Sequence, residues 1–551
     1  MRRRSSYSTR PVGIDQAVHR SSTLDPPRRP RRLFTLISLL ALALAAPLLV
    51  VLTAPLHAQA PEWVHVRRVI LPDHLAGTLE LLGGVLAIAL VLAVPSAWLV
   101  ATCDFPLRRM MRWALVMPLA LPTYISAFTY AALLGPTGPV SNWLADHAGF
   151  RPDIVDMQGL WFVLALVLFP YIYLPARAAF ASGMSGQLDA ARMLGASAVP
   201  RFRRIALPLA RPAIAGGALL VAMETLNDYG AVKYYGVRTL TTGIFRSWAG
   251  LYDLGSALRL GIVLVLLVAL LLWIERRARR GARQETDQVP VARVRLQGWR
   301  AAAATGWCLL VFGMAAMLPI GSILDDVRVT WDGTMHGQLP HALWNTSAVA
   351  AVAGLVTLVI AVLFTFRERY GRRSDPAIRL ADLGYVIPGA VIAIGVMSLA
   401  GFIDRRQWLD GALIGSMGVL VYAFSVRFLA VGKQPLQGAL RQQSTALDEA
   451  ARMLGASPWR SFRRVNLPLL GPALIAAAML VAIDVIKELP LTLILRPFNF
   501  DTLSTKAYEL ARIEQLREAS WPSLMIVICG LVPVLLLERM LERRARSLGG
   551  R

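Results

Sequence analysis

Runs of about 20 apolar residues alternate along this chain with short polar segments. A helix rises about 1.5 Å per residue, so each run matches the roughly 30 Å hydrocarbon core of a bilayer. The runs begin near Leu33, Leu75, Trp113, Leu160, Pro212 and Leu258, and again near Ala301, Leu343, Leu380, Ala412, Pro472 and Trp521. A basic connector, "IERRARRGARQETDQVPVARVRLQGWR", parts the two sets. The pattern predicts an all-α polytopic membrane protein with two six-helix halves and about 12 transmembrane helices. It divides the chain into a basic disordered tail (1–32), a first half (33–275), a linker (276–299), a second half (300–540) and a basic tail (541–551).

Composition agrees, with 56% hydrophobic and 17% charged residues against about 25% charged in a typical soluble protein. The net charge of +24 changes the picture only through its placement. Arginine clusters such as "RRPRRL", "LRRMMR", "RFRR", "RERYGRR" and "RSFRR" recur on alternate sides of the runs. The intervening segments, among them "SNWLADHAGFRPDIVDMQG", carry more acid. That is the positive-inside asymmetry, with both termini cytoplasmic. Nucleic-acid binding would need a basic face on a folded soluble domain, and no segment is long enough for one. Cys103, Cys308 and Cys529 are scattered and suit small buried hydrophobes rather than a disulfide or zinc framework. "HAQAP" after the first run is similar to an export cleavage site, but the run has the length of a span, so the first helix is expected to stay.

The segment "ARMLGAS" stands at Ala191 and again at Ala451, 260 residues on. Around it the longer frames share Ala190/Ala450, Ala191/Ala451, Arg192/Arg452, Gly195/Gly455, Phe202/Phe462 and Pro208/Pro468. Each frame precedes the fifth run of its half, and an even number of runs separates them. Both therefore face one side, and the halves are parallel repeats about an axis along the membrane normal. Asp189 or Glu449 opens a short helix where the dipole favours an acid, and Arg192 or Arg452 can pair with it one turn on. Gly195 or Gly455 ends that helix, and a second short helix with Phe and an Arg pair follows. Two such devices make a docking surface for a partner with two equivalent subunits.

These frames resemble the "EAA" loop, with its Gly and downstream Leu-Pro, of permease subunits of binding-protein-dependent ATP-binding-cassette importers. The chain is similar to the fused kind, with both permeases in one polypeptide of the bacterial inner membrane. The resemblance implies that loops 188–208 and 448–468 form coupling helices against two copies of a cytoplasmic ATPase. Their implied coupling residues are Asp189, Ala190, Ala191, Arg192, Gly195 and Pro208, with Glu449, Ala450, Ala451, Arg452, Gly455 and Pro468. Asp189 departs from the usual Glu by one methylene. No G-x-x-x-x-G-K-[ST] loop occurs in the chain. No cofactor is expected on it; ATP and Mg belong to the partner ATPase. No catalytic constellation is visible, so the chain is expected to be a transport subunit and not an enzyme.

The fifth run of each half carries two carboxylates four apart, Glu224 and Asp228, then Asp484 and Glu488 at the same 260-residue offset. That spacing predicts a shared helix face. The first member of each pair lies about 18 Å past Pro212 or Pro472, near mid-membrane. Acids at that depth face a protein interior or a wet cavity. They either pair with Lys487, Asn227 or neighbouring arginines to fix packing, or line an oxygen-rich path for a hard cation. Lys487 breaks the symmetry. "DYGAVKYYGVRTLTTGIFRSW" and "KELPLTLILRPFNFDTLSTKAYELA" resemble segments of ferric-iron importer permeases. That resemblance implies ferric iron handed over by an outer-face iron-binding protein. Fused permeases for thiamine, and importers of phosphonates or polyamines, are the alternatives within the family. An ion-driven secondary transporter is the alternative outside it.

Overall fold

Every predicted run forms helix within its described part in the computed structural model, which describes residues 31–56, 62–181, 185–279, 293–330, 338–371, 375–406 and 413–531. The tail 1–30, most of the linker (280–292) and the tail 541–551 lie outside the described residues. Among the described residues six helices are long and apolar enough to cross a membrane: Arg32–Leu56, Glu62–Thr102, Arg201–Asn227, Leu254–Arg279, Gly298–Val329 and Leu339–Tyr370. Three further pairs qualify as bent spans, at 95° between Arg108–Ala120 and Thr123–Ala148, 46° between Met157–Leu168 and Pro170–Ala181, and 76° between Pro458–Leu469 and Gly471–Lys487.

By length and composition that makes up to nine spans among the described residues, against about twelve expected. The other three runs are helical but atypical. Gly389–Asp404 has only 16 residues. Met417–Gln442 carries Arg427 and Lys433, and the last helix, 516–531, reaches the edge of the described residues. Lys433 is buried and donates to Glu368 at 3.0 Å and to Asp382. A charged helix is tolerated inside a bundle when its charges are paired in this way.

The first helix of each half packs on the opposite half. Arg31–Thr53 lies against Pro376–Asp382 and Gly389–Asp404. Tyr422 Oη donates to the Ala43 carbonyl at 2.6 Å, and Ser38 Oγ donates to Asp375. Reciprocally, Trp307 Nε1 donates to Ser96 Oγ at 3.0 Å and Tyr130 Oη to the Met314 carbonyl at 2.6 Å. The exchange binds the halves without closing the space between them. Aromatic side chains fill each core, with Phe169, Tyr173 and Phe180 in the first half and Phe364, Phe424 and Phe462 in the second, all fully buried. Leu36, Leu39, Leu266 and Leu355 stand more than half exposed on the outer helix faces, where lipid rather than water is the solvent.

Two local expectations change. The Phe-Arg-Arg segment of the first half is continuous with its span, since Arg201–Asn227 forms one helix with a wide π-type turn at Arg201–Ala206. Only the second half breaks, at Leu470. Gly471 stands there where the first half has Arg211, and glycine weakens a helix interior by about 1 kcal/mol. The fold also has one two-residue parallel ladder among the described residues, Cys103–Asp104 with Val294–Arg295, which ties the linker's end to the loop after the second span.

Candidate functional site

The two repeated loops fold alike. Ser185–Met193 and Thr445–Met453 are helices of nine residues. Gly195 (φ 78°) and Gly455 (φ 76°) follow in the left-handed region that glycine adopts at low cost. Gly195 N–H bonds Arg192 O at 2.9 Å and Ala196 N–H bonds Ala191 O at 2.9 Å; Gly455 bonds Arg452 O at 2.9 Å and Ala456 bonds Ala451 O at 3.0 Å. This is the same Schellman closure twice. Ala191 and Ala451 face inward, while Asp189, Ala190, Glu449 and Ala450 are exposed. Beyond them stand Met193 (91% exposed) and Leu194 (87%), then Met453 (74%) and Leu454 (88%). Pro208 and Pro468 each lie in the first turn of the following helix.

The loops are tied down by different means. The shared Phe202 packs on Trp98 and Phe180 with ring centroids 5.2 and 6.3 Å away, and Phe462 packs on Phe366 at 5.3 Å and Trp459 at 6.1 Å. Beneath the second loop lies a polar network that the sequence did not reveal. Buried Asp448 meets Arg369 at 2.7 Å and accepts from Tyr370 Oη at 2.7 Å. Tyr370 Oη also lies 3.2 Å from Ser461 Oγ and 2.9 Å from Asn466 Oδ1. The first loop buries Leu188 at the equivalent place. The acid-to-Arg pairing holds only in the first loop, where Asp189 and Arg192 are 3.8 Å apart. In the second, Arg452 Nε donates to the Asp448 carbonyl at 3.3 Å.

All five carboxylate-and-lysine candidates, Glu224, Asp228, Asp484, Lys487 and Glu488, line one cavity of 80 Å³ between the halves. The expected shared helix face is not formed. The helices end at Asn227 and Lys487, and Asp228 (ψ 128°) and Glu488 (ψ 121°) follow in extended backbone. Each acid then caps the next short helix: Asp228 accepts from Ala231 N–H at 3.0 Å and Glu488 from Leu491 N–H at 3.3 Å. In the first half the short Asp228 side chain competes with the helix for such a donor, and in the second Pro490, two residues beyond Glu488, begins the next helix and cannot continue the hydrogen-bond ladder of the first.

Partners differ between the halves. Asp484 pairs with Lys487 at 2.9 Å, and Glu488 pairs with Arg427 at 3.3 Å, both side chains of the latter pair being buried. Arg427 also donates to the Ile387 carbonyl at 2.8 Å. Asn227, the counterpart of Lys487, accepts from Gly389 N–H at 2.8 Å. Glu224 makes no hydrogen bond or ion pair among the described residues. Thr123, Tyr124, Tyr171, Tyr229, Tyr385 and Arg427 complete the polar lining, none of them marked by the sequence reading. Arg427 had a readable signal, as a lone charge in the apolar stretch "VYAFSVRFLAVG". The tyrosines had none, being ordinary in such helices.

An aromatic layer parts this cavity from a second, of 940 Å³, lined by Lys233, Asp325, Asp326, Arg512 and Glu514 among others. Phe128 sits 5.9 Å from Tyr124 and 6.4 Å from Tyr508, and Tyr508 is 5.9 Å from Tyr229. Among the described residues no three His, Cys, Asp or Glu side chains gather closely enough to hold a metal ion.

A helical bundle of two exchanged halves, with paired surface helices outside and a polar cavity on the axis, is the architecture of a membrane transport subunit. Residues 89–284 and 358–547 each match the family described as binding-protein-dependent transport system inner membrane component, and the chain belongs to that family. It is thus a multi-pass inner-membrane protein. Among similar proteins, the Fe(3+)-transport system permease protein FbpB 2 of Haemophilus influenzae is 26% identical over 526 residues, 93% of this chain and 99% of that one. The ferric transport system permease protein FbpB of Actinobacillus pleuropneumoniae is 24% identical over 72% of this chain and 61% of its own length. The sulfate transport system permease protein CysW of Escherichia coli is 30% identical over only 144 residues, 26% of this chain and 49% of that one.

Proposed function

We propose that this chain is the membrane-spanning subunit of an importer that moves ferric iron into the cytoplasm, powered by ATP hydrolysis on two separate ATPase subunits. An outer-face binding protein delivers the iron, both termini are cytoplasmic, and ATP and Mg stay on the ATPase. One observation carries the reading. Two nine-residue helices end on the same glycine closure and expose the same Met-Leu pair. Exposed apolar pairs of this kind are costly in water and are covered by a partner, and two of them fit a partner with two equivalent subunits. The halves rock about their common axis as the ATPases close, and Glu224, Asp228, Asp484, Lys487 and Glu488 line the path of the cargo.

Ferric iron is supported by the likeness to a ferric permease over nearly the whole of both chains. It also agrees with a cavity of four carboxylates and four phenols against two cations, since hard cations prefer oxygen ligands. The same lining opposes sulfate, for which the resemblance covers one quarter of the chain.

The test is reconstitution with the ATPase and binding protein in proteoliposomes. Gly455→Pro cannot reach φ 76° and removes the N–H that closes the helix on Arg452, and Glu449→Arg reverses a charge at the dock. Both variants are expected in the membrane, with ATP hydrolysis retained and labelled ferric uptake lost. Normal uptake in both would reject the coupling role. Uptake of labelled thiamine in place of iron would reject the cargo.

A further inference from the structure

Each half turns through an elbow at the end of its fifth span that lies away from the repeated loops. The two elbows are built alike. Thr239 and Thr502 each open a helix with the same capping box, closed on Thr242 and on Thr505. Leu240 N–H donates to Thr78 Oγ1 and Leu503 N–H to Thr346 Oγ1, both at 2.8 Å. On this common backbone the charges are reversed. The residue before the cap is Asp501 in the second half and Arg238 in the first, and seven residues past the cap stand Glu509 and Arg246.

In the second elbow the charges cancel internally, because Arg496 pairs with both Asp501 and Glu509. In the first, Asp73 meets Arg238 at 3.0 Å, while Arg246 and Lys233 make no side-chain hydrogen bond or ion pair among the described residues. These three cations surround a cavity of 420 Å³. His74, Tyr229 and Phe245 form its buried wall, and Lys233, Arg238 and Arg246 are its exposed rim. No Asp or Glu lines it among the described residues. Single cations are ordinary on a wet surface, but three around one concavity repel each other, and a cleft of one sign focuses its field on whatever enters.

We propose that this cup binds a small oxyanion carrying two or more negative charges, a phosphate group being the type. Arginine offers phosphate oxygens a fork of N–H donors and lysine a point charge, and the volume lies within the range of about 300–1,000 Å³ usual for small-ligand sites. The anion supplies the counter-charge that Asp501 and Glu509 give the second elbow. Lys233 also lines the cavity of 940 Å³ and Tyr229 the one of 80 Å³, so an anion seated here lowers the positive potential beside both. The group arrives either as free phosphate or on a lipid headgroup.

The experiment is equilibrium dialysis of radiolabelled inorganic phosphate against the full chain in phosphatidylcholine nanodiscs, with one site per chain expected. It involves no transport, so it stands or falls apart from the importer reading. Lys233→Gln with Arg246→Gln breaks no hydrogen bond or ion pair among the described residues and is expected to fold as the parent does. It should weaken binding by about tenfold or more, the loss expected when charge-assisted hydrogen bonds go. Arg246→Glu places the second half's residue type in the first elbow and should abolish binding, since the new acid answers Arg238 and Lys233 as Glu509 answers Arg496. Arg328→Gln with Arg405→Gln removes the same charge from exposed positions that line none of these cavities, and should leave binding unchanged.

Repeating the dialysis in phosphatidylglycerol nanodiscs separates the two sources. Unchanged affinity assigns the cup to free phosphate. A fall in the parent, with phosphatidylglycerol carried through native mass spectrometry by the parent and not by Arg246→Glu, assigns it to a headgroup. A parent that binds no phosphate overturns the proposal. So does binding that survives Arg246→Glu, or that the Arg328 and Arg405 control weakens as much as the Lys233 and Arg246 variant does.

Discussion

Leu188–Ala191 and Asp448–Ala451 alternate buried, exposed, exposed, buried, and both loops then close on glycine with φ within a few degrees of each other. Further along the same two frames, Lys487 stands where the first half has Asn227, and Leu489 where it has Tyr229. The contrast follows from what each region must fit. Under the proposed coupling role the two loops receive identical partners and are held to one shape, because a change in either would spoil its own contact. The cavity on the axis is one space lined by both halves together, so its two walls are free to differ, and only the second carries Arg427 and Lys487, each paired with an acid of its own half.

The sharpest way to break the comparison is to make the cavity symmetric. Arg427→Val gives the second half the residue type of Val167 and leaves Glu488 buried without its cation. Stranding one partner of a buried pair costs about 3–5 kcal/mol, so the purified variant should melt far below the parent. Adding Glu488→Leu removes the stranded charge and should recover most of the loss, short of the cap on Leu491 N–H, worth about 1 kcal/mol. If Arg427→Val melts with the parent, the ion pair does not organise the wall, and the electrical asymmetry has no structural cause.

Asp448→Leu does the same for the docks, since Leu188 is the first half's residue at that place. The matching helices Leu71–Thr102 and Leu339–Tyr370 are both 32 residues long and both begin Leu-Pro. Their alignment puts Ala101 and Thr102 where the second half has Arg369 and Tyr370. The network and the residue it holds thus changed together. Without Asp448, Arg369 retains only carbonyl contacts at 3.4–3.5 Å, an expected cost of about 1–3 kcal/mol. Hydrogen exchange in Thr445–Met453 should quicken while the membrane helices stay protected. Unchanged exchange would mean that the Phe462 cluster alone holds the loop.

How much of this was legible follows the same division. The spans and the looped helices could be read because they obey local rules of apolar length, dipole, glycine closure and repetition. The five ionisable residues of the fifth runs were found lining one cavity because an ionisable group inside an apolar run has few places to go. The exchange of first helices between halves was invisible, since it depends on Tyr422 reaching Ala43 and Trp307 reaching Ser96 across some hundreds of residues. So was the helix break at Asp228 and Glu488. The four-residue spacing promised a continuous face, and the side chains instead captured the next helix's donors. Tyr124 could not be distinguished from a packing tyrosine until its hydroxyl was seen to lack a partner.

The smallest expected effect sharpens the comparison from the other side. Asp189→Glu makes the first dock read like the second, where Glu449 stands. Asp189 and Arg192 are half-exposed and 3.8 Å apart, a contact worth about 0–1 kcal/mol at a surface. In the second dock Arg452 turns to the Asp448 carbonyl instead, so pairing with the acid is not what the two loops have in common. If the acid acts only as charge near a helix start, the longer side chain serves equally well, and uptake should stay within about twofold of the parent, the span of a few tenths of a kcal/mol. A fall of about tenfold would mean that carboxylate length is matched to a specific contact on the ATPase. The two docks would then grip their partners differently despite their common fold.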